Sequence, residues 1–492
     1  MTDVVQIGAA PLALERVWAS DFPELSRPVS PAPTPRPRLL AINDEVAHDF
    51  GLDPEYLAGG EGIRLLTGES AWPGSTPVAQ VYAGHQWGVF KPILGDGRAA
   101  LLGERRDRDG RLHDLHLKGI GPTSMSRVDG FATVGPMLRE FLMGEAMHAL
   151  GVPTTRALAV VATGSARDLD GVVQPGAVLA RTASSHVRVG SFEFVRAQGD
   201  PALLRRLADH VIARHYPGAA VAESPYRALL VEIVEATASL TADWMRTGFV
   251  HGVLSTDNVL VSAETIDYGP CAFLDAYEPG AYFSSIDQLG RYAYDRQPPI
   301  MRWNLERLGH ALAPLLADDP SIGERVAVEV VDAFDYRYRW HWAVAFREKL
   351  GLDDRADLAI AAELAQTALD LLAEHEVDFT GFWRDLATAA DGDERPIRDR
   401  FLGPVAGLDA WLIWWRTQSP DAALIRAVNP VYIARNHIVE EVLASAVEGD
   451  LGPFEELLDL LRDPFTERGS EYRRFTWPAP EGAPRHRTFC GT

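Results

Sequence analysis

The chain has 492 residues, of which 47% are hydrophobic and 24% are charged, so it is long enough for about two to four globular units. Its formal net charge is −22, which argues against broad binding to nucleic acid or to an anionic membrane, because both need a basic surface. Two cysteines, Cys271 and Cys490, provide no disulfide framework. With no secretory signal pattern and no run of about 18 apolar residues, we expect a soluble, cytoplasmic protein.

In the first part of the chain, short apolar runs alternate with glycines and prolines. Residues 28–37 contain five prolines and are predicted to be an extended connector. A short helix is predicted over 39–50, strands and tight turns over 78–104, and a strand carrying Lys118 over 115–119. A clear helix is predicted over 136–150, because Pro136 stands near its start and Gly151 follows its end. Two further strands are predicted over 158–163 and 177–181.

After about residue 200 the hydrophobic pattern becomes mainly helical. Helices are predicted over 202–215, 226–246, 324–348, 358–375 and 430–448. Short strand-like pieces occur over 253–261 and 272–274, and residues 482–492 are expected to be a mobile tail. The pattern therefore predicts an α+β fold in which a β-rich first part with one prominent helix precedes a helical second part. A two-lobed protein kinase has this order.

One stretch has the frame of a kinase catalytic loop. Residues 251–258 read H-G-V-L-S-T-D-N and are followed by D-Y-G at 267–269, where kinases have H-R-D-x-x-x-x-N and D-F-G. Val253 occupies the position of the kinase base and cannot accept a proton. Asn258 and Asp267 have the oxygen ligands that Mg²⁺ prefers, and Asp257 could accept a proton from an attacking hydroxyl. Each of these polar residues could instead serve a turn or face solvent.

Two glycine-containing turns could approach a phosphate. Gly95, Gly97 and Arg98 combine tight backbone approach with a planar donor. Asp129 and Gly130 form a second turn-like piece. A hairpin turn is the alternative explanation for both.

Three basic residues are candidate phosphate ligands. Lys118 corresponds to the strand lysine that meets ATP phosphates in kinases and is held there by a helix glutamate. The predicted 136–150 helix offers Glu140 and Glu145, and spacing does not choose between them. Arg181 and Arg188 are seven residues apart in a segment of small residues, which suits anion binding. Surface charge or ordinary salt bridging is the alternative for all three.

In this order, these pieces resemble the selenoprotein O family, protein adenylyltransferases of pseudokinase origin. The matching segments are residues 81–88, 94–98, 117–119, 139–148, 152–158, 181–188, 249–270 and 429–437. The resemblance implies a bilobal protein-kinase-like fold with added segments at both ends. The implied division is an N-terminal extension packed on the core over 1–75, an N-lobe over 76–190, a C-lobe over 191–400, and a C-terminal helical extension with a mobile tail over 401–492.

The resemblance implies transfer of AMP from ATP to Ser, Thr or Tyr hydroxyls of target proteins, with release of pyrophosphate and with ATP inverted relative to kinases. Mg²⁺, or Mn²⁺ in its place, is the implied metal. Asp257 matches the base, Asn258 and Asp267 match the metal ligands, and Glu140 matches the partner of the lysine. The nucleotide contacts it implies are Gly95, Gly97, Arg98, Lys118, Asp129, Gly130, Arg181, Arg188 and Asp267. A conventional kinase with a displaced base, and a nucleotide-binding pseudokinase scaffold, remain the alternatives.

The chain departs from the family pattern at one place. Where the family has Gly-Asp-Gly-Arg, this chain reads Val128-Asp129-Gly130-Phe131, one residue shorter and without the arginine. Near the C-terminus, Cys490 matches a cysteine or selenocysteine position of the family. The resemblance suggests a redox role for it with Cys271 as a disulfide partner, and a plain reduced thiol is the alternative.

Overall fold

The computed structural model describes residues 13–169, 172–480 and 482–488. Its strands lie mainly in the first 190 residues: β1 Ser26–Pro28, β2 Arg38–Ile42, β3 Val78–Gln80, β4 Gly84–Gln86, β5 Val89–Lys91, β6 Ala99–Arg106, β7 Leu112–Lys118, β8 Ala132–Thr133, β9 Arg156–Leu169, β10 Val172–Ala183, β11 Phe249–Val250 and β12 Ala272–Phe273. The predicted mixed α and β composition, with the sheet in the first part of the chain, is confirmed.

Helices dominate the rest of the described chain. In the first part they are α1 Val17–Asp21, α2 Asp44–Asp49, α3 Pro54–Ala58, α4 Gly60–Thr67 and α5 Val134–Ala149. The later ones are α6 Val189–Gln198, α7 Pro201–His215, α8 Pro225–Thr247, α9 Gln297–Leu316, α10 Pro320–Asp332, α11 Phe334–Lys349, α12 Leu358–Glu374, α13 Phe379–Ala390, α14 Arg395–Arg398, α15 Ala406–Arg416, α16 Ala422–Val428, α17 Asn436–Glu448 and α18 Gly452–Arg462. Within the described ranges, no helix combines the length and the apolar character needed to cross a bilayer.

The main sheet is antiparallel and runs in the order β1-β3-β6-β7-β10-β9-β2, with β8 paired to β10. β7 and β10 lie near its centre, with Leu179 opposite Lys118 and Arg181 opposite His116. Because side chains two residues apart on a strand point to the same face, this register places the side chains of Lys118 and Arg181 on one face as diagonal neighbours.

Helix α5 packs across β9 and β10 on one side and against α17 and α18 on the other. Its sequence is apolar nearly all round, which is the pattern of a helix covered on every side. Glu140 and Glu145 are both buried in it, with 5% and 1% exposure. A buried carboxylate needs a charged or hydrogen-bonding partner, so each glutamate must find one inside the protein.

Several predicted elements have different bounds in the structure. Residues 39–50 are not one helix, because β2 pairs with β9 through Ile42 and Asn43 then caps α2 by accepting a hydrogen bond from Val46 N at 3.3 Å. The predicted helix over 324–348 is two helices that meet at Ala333. The predicted helix over 430–448 begins only at Asn436. Residues 253–261 form no strand and contain a short 3-10 turn, Thr256–Asn258.

The C-terminal segment was expected to be mobile from Gly482, and its described part is docked instead. Thr488 is buried, its hydroxyl donates to the Pro270 carbonyl at 2.8 Å, and its backbone N–H donates to Phe283 O at 2.8 Å. Arg485 pairs with Glu278 at 2.9 Å. Residues 482–488 are therefore anchored directly beside the segment that carries Cys271, whereas Cys490 lies outside the described residues.

Candidate active site

Five charged side chains form a cluster where the sheet meets α5 and the loop at residue 267. The Lys118 ammonium lies 2.6 Å from Glu140 Oε2 and 2.6 Å from Asp267 Oδ1. Arg181 Nη1 lies 2.6 Å from Glu140 Oε1 and 2.9 Å from Asp267 Oδ1. Arg188 Nη1 reaches Asp267 Oδ2 at 3.3 Å. Three cations thus surround two carboxylates at this point of the fold.

The fold brings these residues together from distant parts of the sequence. Lys118 ends β7, Arg181 lies on β10, and Glu140 lies in the middle of α5. Arg188 immediately precedes α6. Asp267 has φ +61°, in the left-handed region that aspartate enters more readily than most residues, and this turn points its carboxylate back at the three cations. The structure therefore pairs Lys118 with Glu140.

Burial and the neighbouring charges shift the pKa values of this cluster in opposite directions, and the neighbouring charges have the larger effect. Burial opposes ionisation of Asp267, yet Lys118, Arg181 and Arg188 hold its pKa well below its usual range. Burial likewise opposes ionisation of Glu140, but Lys118 and Arg181 lower its pKa. Burial works against the Arg181 cation, while Asp267 and Glu140 raise its pKa. The charged forms of Asp267, Glu140 and Arg181 are therefore favoured by their neighbours.

The Glu145 alternative is resolved by contacts elsewhere. Its carboxylate accepts from Arg156 Nε at 2.9 Å and lies 3.2 Å from Arg462 Nη2. Glu145 therefore joins α5 to β9 and to the end of α18, away from Lys118.

Arg188 is held by a second group of buried side chains. Its guanidinium carbon lies 4.7 Å from the centre of the Tyr82 ring, and its Nη2 lies 3.9 Å from Asp96 Oδ1. Asp96 also accepts from the Tyr82 hydroxyl at 3.3 Å, from Gln80 N at 3.0 Å, and contacts His116 Nε2 at 3.2 Å. Although burial opposes its ionisation, His116 and Arg188 lower the pKa of Asp96 to about 2. A charged, fixed Asp96 thus orients Arg188.

Arg188 also connects the cluster to the loop over 251–258. Its Nη1 donates to the Asp257 backbone carbonyl at 2.5 Å as well as contacting Asp267. Within the loop, Asn258 Nδ2 donates to the Val253 carbonyl at 3.2 Å. This bond turns the Asn258 side-chain oxygen away from Val253. Arg188 therefore links Asp257 to Asp267, while the side-chain contact of Asn258 is with Val253 in its own loop.

The β4–β5 hairpin packs directly on this loop. Asp257 is 8% exposed, and its Oδ2 accepts from Gln86 Nε2 at 3.2 Å. Its Oδ1 is buried with no hydrogen-bond partner among the described residues. A Cβ at Gly84 would lie 2.7 Å from Asp257 Oδ1, so only glycine allows this close approach. One carboxylate oxygen of Asp257 is thus held by the protein and the other is left without a partner.

Beside the hairpin, Glu193 and His85 form a buried pair. His85 Nδ1 lies 2.5 Å from Glu193 Oε1, and the His85 backbone N–H donates to Thr256 Oγ1 at 2.7 Å. Burial raises the pKa of Glu193 to about 7 and lowers the pKa of His85. The pair ties α6, the hairpin and the loop together next to Asp257.

The turn over 95–98 lies opposite the end of the lysine strand. The Arg98 carbonyl accepts from Gly119 N at 2.7 Å. Gly95 has φ +140°, and a Cβ there would lie 2.7 Å from the Gln80 carbonyl. A Cβ at Gly97 would lie 3.2 Å from the Met125 carbonyl. Close packing within the protein is therefore a sufficient reason for both glycines.

Asp129 and Gly130 lie apart from the cluster described above. Asp129 is exposed, and its carboxylate accepts from Phe131 N at 3.0 Å. Gly130 has φ +75°, and a Cβ there would lie 2.4 Å from the Gly121 carbonyl. Neither residue takes part in the ion pairs around Lys118.

Cys271 is a buried free thiol whose pKa is raised to about 12 by burial.

Asn258 and Asp267 could supply two ligands to a metal ion whose other ligands come from a substrate and water. The part of the chain that the structure describes contains no group of three or more His, Cys, Asp or Glu side chains placed to hold a metal. Asn258 and Asp267 offer an amide oxygen and a carboxylate, and Mg²⁺ commonly uses one or two protein ligands with phosphate oxygens and water for the rest. The donor set therefore suits a metal that arrives with a nucleotide.

Comparison with known proteins identifies relatives along nearly the whole chain. The protein nucleotidyltransferase YdiU of Mycolicibacterium paratuberculosis is 51% identical over 486 residues, covering 98% of each chain. The protein of that name from Mycobacterium sp. strain KMS is 52% identical over 482 residues, covering 98% of this chain and 99% of the relative. One from Cereibacter sphaeroides is 52% identical over 465 residues, covering 94% and 95%.

These relatives carry the name of protein nucleotidyltransferases. The family model described as protein adenylyltransferase SelO matches residues 10–462. The chain belongs to this family, which confirms the resemblance drawn from its motifs.

Some residues of the site had no role in the sequence analysis. Gln86 contacts the Asp257 carboxylate, while Tyr82 and Asp96 hold Arg188. The segment 81–88 was noticed only as a matching block, because no spacing rule relates residue 86 to residue 257. The run of a glycine, two polar residues and a tryptophan at 84–87 was the available signal.

Proposed function

We propose that this chain transfers AMP from ATP to Ser, Thr or Tyr hydroxyls of other proteins. The acceptor oxygen forms a bond to the α-phosphorus, the bond to the β-phosphate oxygen breaks, and pyrophosphate leaves. The hydroxyl proton passes to Asp257. ATP binds in the inverted sense, with the α-phosphate toward the acceptor.

The arrangement of the chain supports a kinase-like two-lobed body. In this proposal residues 76–190 form the sheet lobe and residues 191–400 the helical lobe, with residues 1–75 and 401–492 as extensions. The pairing of a strand lysine with a helix glutamate, Lys118 with Glu140 at 2.6 Å, is the arrangement kinases use to hold phosphates. Lys118, Arg181 and Arg188 would hold the polyphosphate, with Gly95, Gly97 and Arg98 at the neighbouring turn. Asp129 and Gly130 are proposed as further nucleotide contacts.

Asn258 and Asp267 would hold Mg²⁺ or Mn²⁺. When bound, the metal supplies positive charge that stabilises the phosphate oxygens as negative charge develops on them. The protein adds a set of cations already held by ion pairs, so these donors need little reorganisation when charge develops. Among these cations, Arg188 connects a proposed metal ligand to the proposed base, because it contacts both the Asp267 carboxylate and the Asp257 backbone carbonyl.

The observation that carries the proposal is the unpartnered Oδ1 of Asp257. It is a buried carboxylate oxygen beside the metal-ligand candidates, whereas the kinase base position holds Val253. A proton acceptor must lie within hydrogen-bond reach of the hydroxyl, and this oxygen has no hydrogen bond to the described part of the chain that would compete. The same feature would serve a conventional kinase with a displaced base, so the identity of the transferred group decides between the two.

Incubation with ATP labelled at the α- or at the γ-phosphate separates these reactions. Protein-bound α label that requires Asp257 supports the proposal. Bound γ label shows phosphorylation and contradicts it. ATP binding with neither label transferred indicates a nucleotide-binding scaffold. The acidic surface, with a net charge of −22, favours protein rather than nucleic-acid acceptors, and we propose a soluble cytoplasmic setting.

A further inference from the structure

Large apolar side chains are exposed on the β4–β5 hairpin and on the loop over 284–291. Trp87 is 39% exposed, Val89 58%, Phe90 39% and Leu289 94%. Single exposed apolar residues need no explanation, but neighbouring ones often mark a binding surface. We call these four residues the hairpin face.

The hairpin face is fixed to the loop that carries the proposed base. The backbone N–H of His85 donates to Thr256 Oγ1 at 2.7 Å, and Gln86 Nε2 donates to Asp257 Oδ2 at 3.2 Å. Trp87 and Val89 follow these residues directly in the chain. A polypeptide lying on the hairpin would therefore pass close to Asp257.

The loop over 284–291, which carries Leu289, contacts the β4–β5 hairpin, which carries the other three residues of the hairpin face. The Trp87 ring lies 5.0 Å from the Tyr292 ring. The loop before Tyr292 is closed by Asp287, whose carboxylate accepts from the backbone N–H groups of Arg291 at 2.9 Å and Tyr292 at 2.8 Å. Leu289 lies between Asp287 and Arg291 in this loop, with its side chain exposed. The apolar groups of the hairpin and of the loop thus lie on two elements in contact.

The rim of the face is basic although the chain as a whole is acidic. Arg127 donates to the neutral Gln86 Oε1 at 3.0 Å. Arg291 and Arg307 place their guanidinium carbons 5.2 and 5.4 Å from the centre of the Trp303 ring. Within the described ranges, no carboxylate lies in ion-pair distance of the Arg127 or Arg291 side chains. The Arg127 and Arg291 guanidinium groups therefore remain able to pair with carboxylates of a partner, whereas Arg307 already lies 3.9 Å from Glu306.

We propose that the hairpin face binds an extended segment of the acceptor protein, one that carries a large apolar side chain and a carboxylate near the target hydroxyl. The apolar side chain packs on Val89, Phe90 and Leu289, and the carboxylate pairs with Arg127 or Arg291. This inference rests on the proposed function, because it places the acceptor hydroxyl beside Asp257.

Matched peptides test the chemistry of the partner. Each peptide contains one Ser, Thr or Tyr next to leucine, flanked by aspartate in one set and by lysine in the other. Transfer of α-labelled AMP is measured as a function of peptide concentration. The aspartate set is expected to have a KM about tenfold lower, equivalent to about 1.4 kcal/mol.

Variants of the face test its location. Val89→Asp and Leu289→Asp are expected to raise the KM for the aspartate peptides about tenfold, with kcat and the KM for ATP unchanged. Leu402→Asp, in the segment between α14 and α15, is the matched control, since Leu402 is 102% exposed, and it should change nothing. Arg291→Glu should reverse the preference toward the lysine set, while Arg355→Glu, at an exposed arginine elsewhere, should not.

The outcomes separate this inference from the proposed function. If wild-type protein transfers α label to both sets equally well and Val89→Asp and Leu289→Asp behave as wild type, AMP transfer stands and the docking surface is refuted. If neither the peptides nor a protein acceptor gains α label, the proposed function itself fails. A dimer in sedimentation that Leu289→Asp converts to a monomer, with peptide KM values unchanged, would show that a second copy covers the face and would overturn the inference.

Discussion

Asp267 and Asp257 should respond to the same substitution with losses of stability that differ in size. Asp267→Asn and Asp257→Asn each remove one negative charge and keep the side-chain size. Both should abolish AMP transfer, because one removes a proposed metal ligand and the other the proposed base. Their effects on stability should differ, since the two carboxylates have very different surroundings.

The magnitudes follow from those surroundings. Asp267 lies 2.6, 2.9 and 3.3 Å from Lys118, Arg181 and Arg188. Neutralising one partner of a buried ion pair costs about 3–5 kcal/mol. Because Asp267 keeps 23% exposure and Glu140 still pairs with two of the cations, we expect a loss near the lower end, about 3 kcal/mol. Asp257 accepts a single side-chain bond from a neutral amide and forms no salt bridge within the described residues, so its substitution should cost clearly less stability than that of Asp267.

Urea denaturation without nucleotide measures both changes, and calorimetry in EDTA measures ATP binding without metal. Removing the charge of Asp267 makes the surroundings of Lys118, Arg181 and Arg188 more positive, so metal-free ATP should bind that variant on the order of tenfold more tightly. Asp257→Asn should bind as wild type. Full transfer activity in Asp267→Asn, or equal stability losses in both variants, would refute this reasoning.

Three other predictions concern the groups around this cluster. Glu140→Gln removes the carboxylate shared by Lys118 and Arg181 and should raise the KM for ATP about tenfold, whereas Glu145→Gln should leave that KM unchanged and lower the melting temperature. The pKa of Glu193 is raised by burial from 4.5 to about 7, so the folded state holds this proton more tightly than the unfolded state. As pH rises from 4 to 8, wild type should then lose about 3 kcal/mol more stability than Glu193→Gln does; parallel curves would contradict this. EDTA should stop transfer while ATP binding persists, and undiminished transfer in EDTA would exclude the metal.

The elements predicted best from the sequence are those whose signals are local. Helix α5 carries Pro136 near its start and a continuous apolar surface, and its observed bounds, Val134–Ala149, differ little from the prediction. The strand ending at Lys118 was also predicted, because alternating residues bounded by glycine are a local pattern. Residues 39–42 were misread because their strand exists only through pairing with β9, which is more than a hundred residues away in the chain.

The residues of the candidate site also fall into those predicted from a local sequence pattern and those found only from contacts in the fold. The frame that joins His251, Asn258 and Asp267 is visible in the sequence, and the family model supports the resemblance it suggested. The choice of Glu140 over Glu145 needed the contact with Lys118. The support of Arg188 by Tyr82 and Asp96 arises only when Asp96 contacts Gln80 of β3 and His116 of β7, so no spacing in the sequence could reveal it.

The central claim is that Asp257 accepts the proton while AMP moves to the acceptor. Intact mass spectrometry of an acceptor protein, incubated with ATP and Mg²⁺ and with either wild-type enzyme or Asp257→Asn, tests this most directly. We predict addition of one or more AMP groups by the wild type and no addition by the variant, with ATP binding retained in both. Addition of phosphate, or AMP addition at the wild-type rate by Asp257→Asn, would contradict the account.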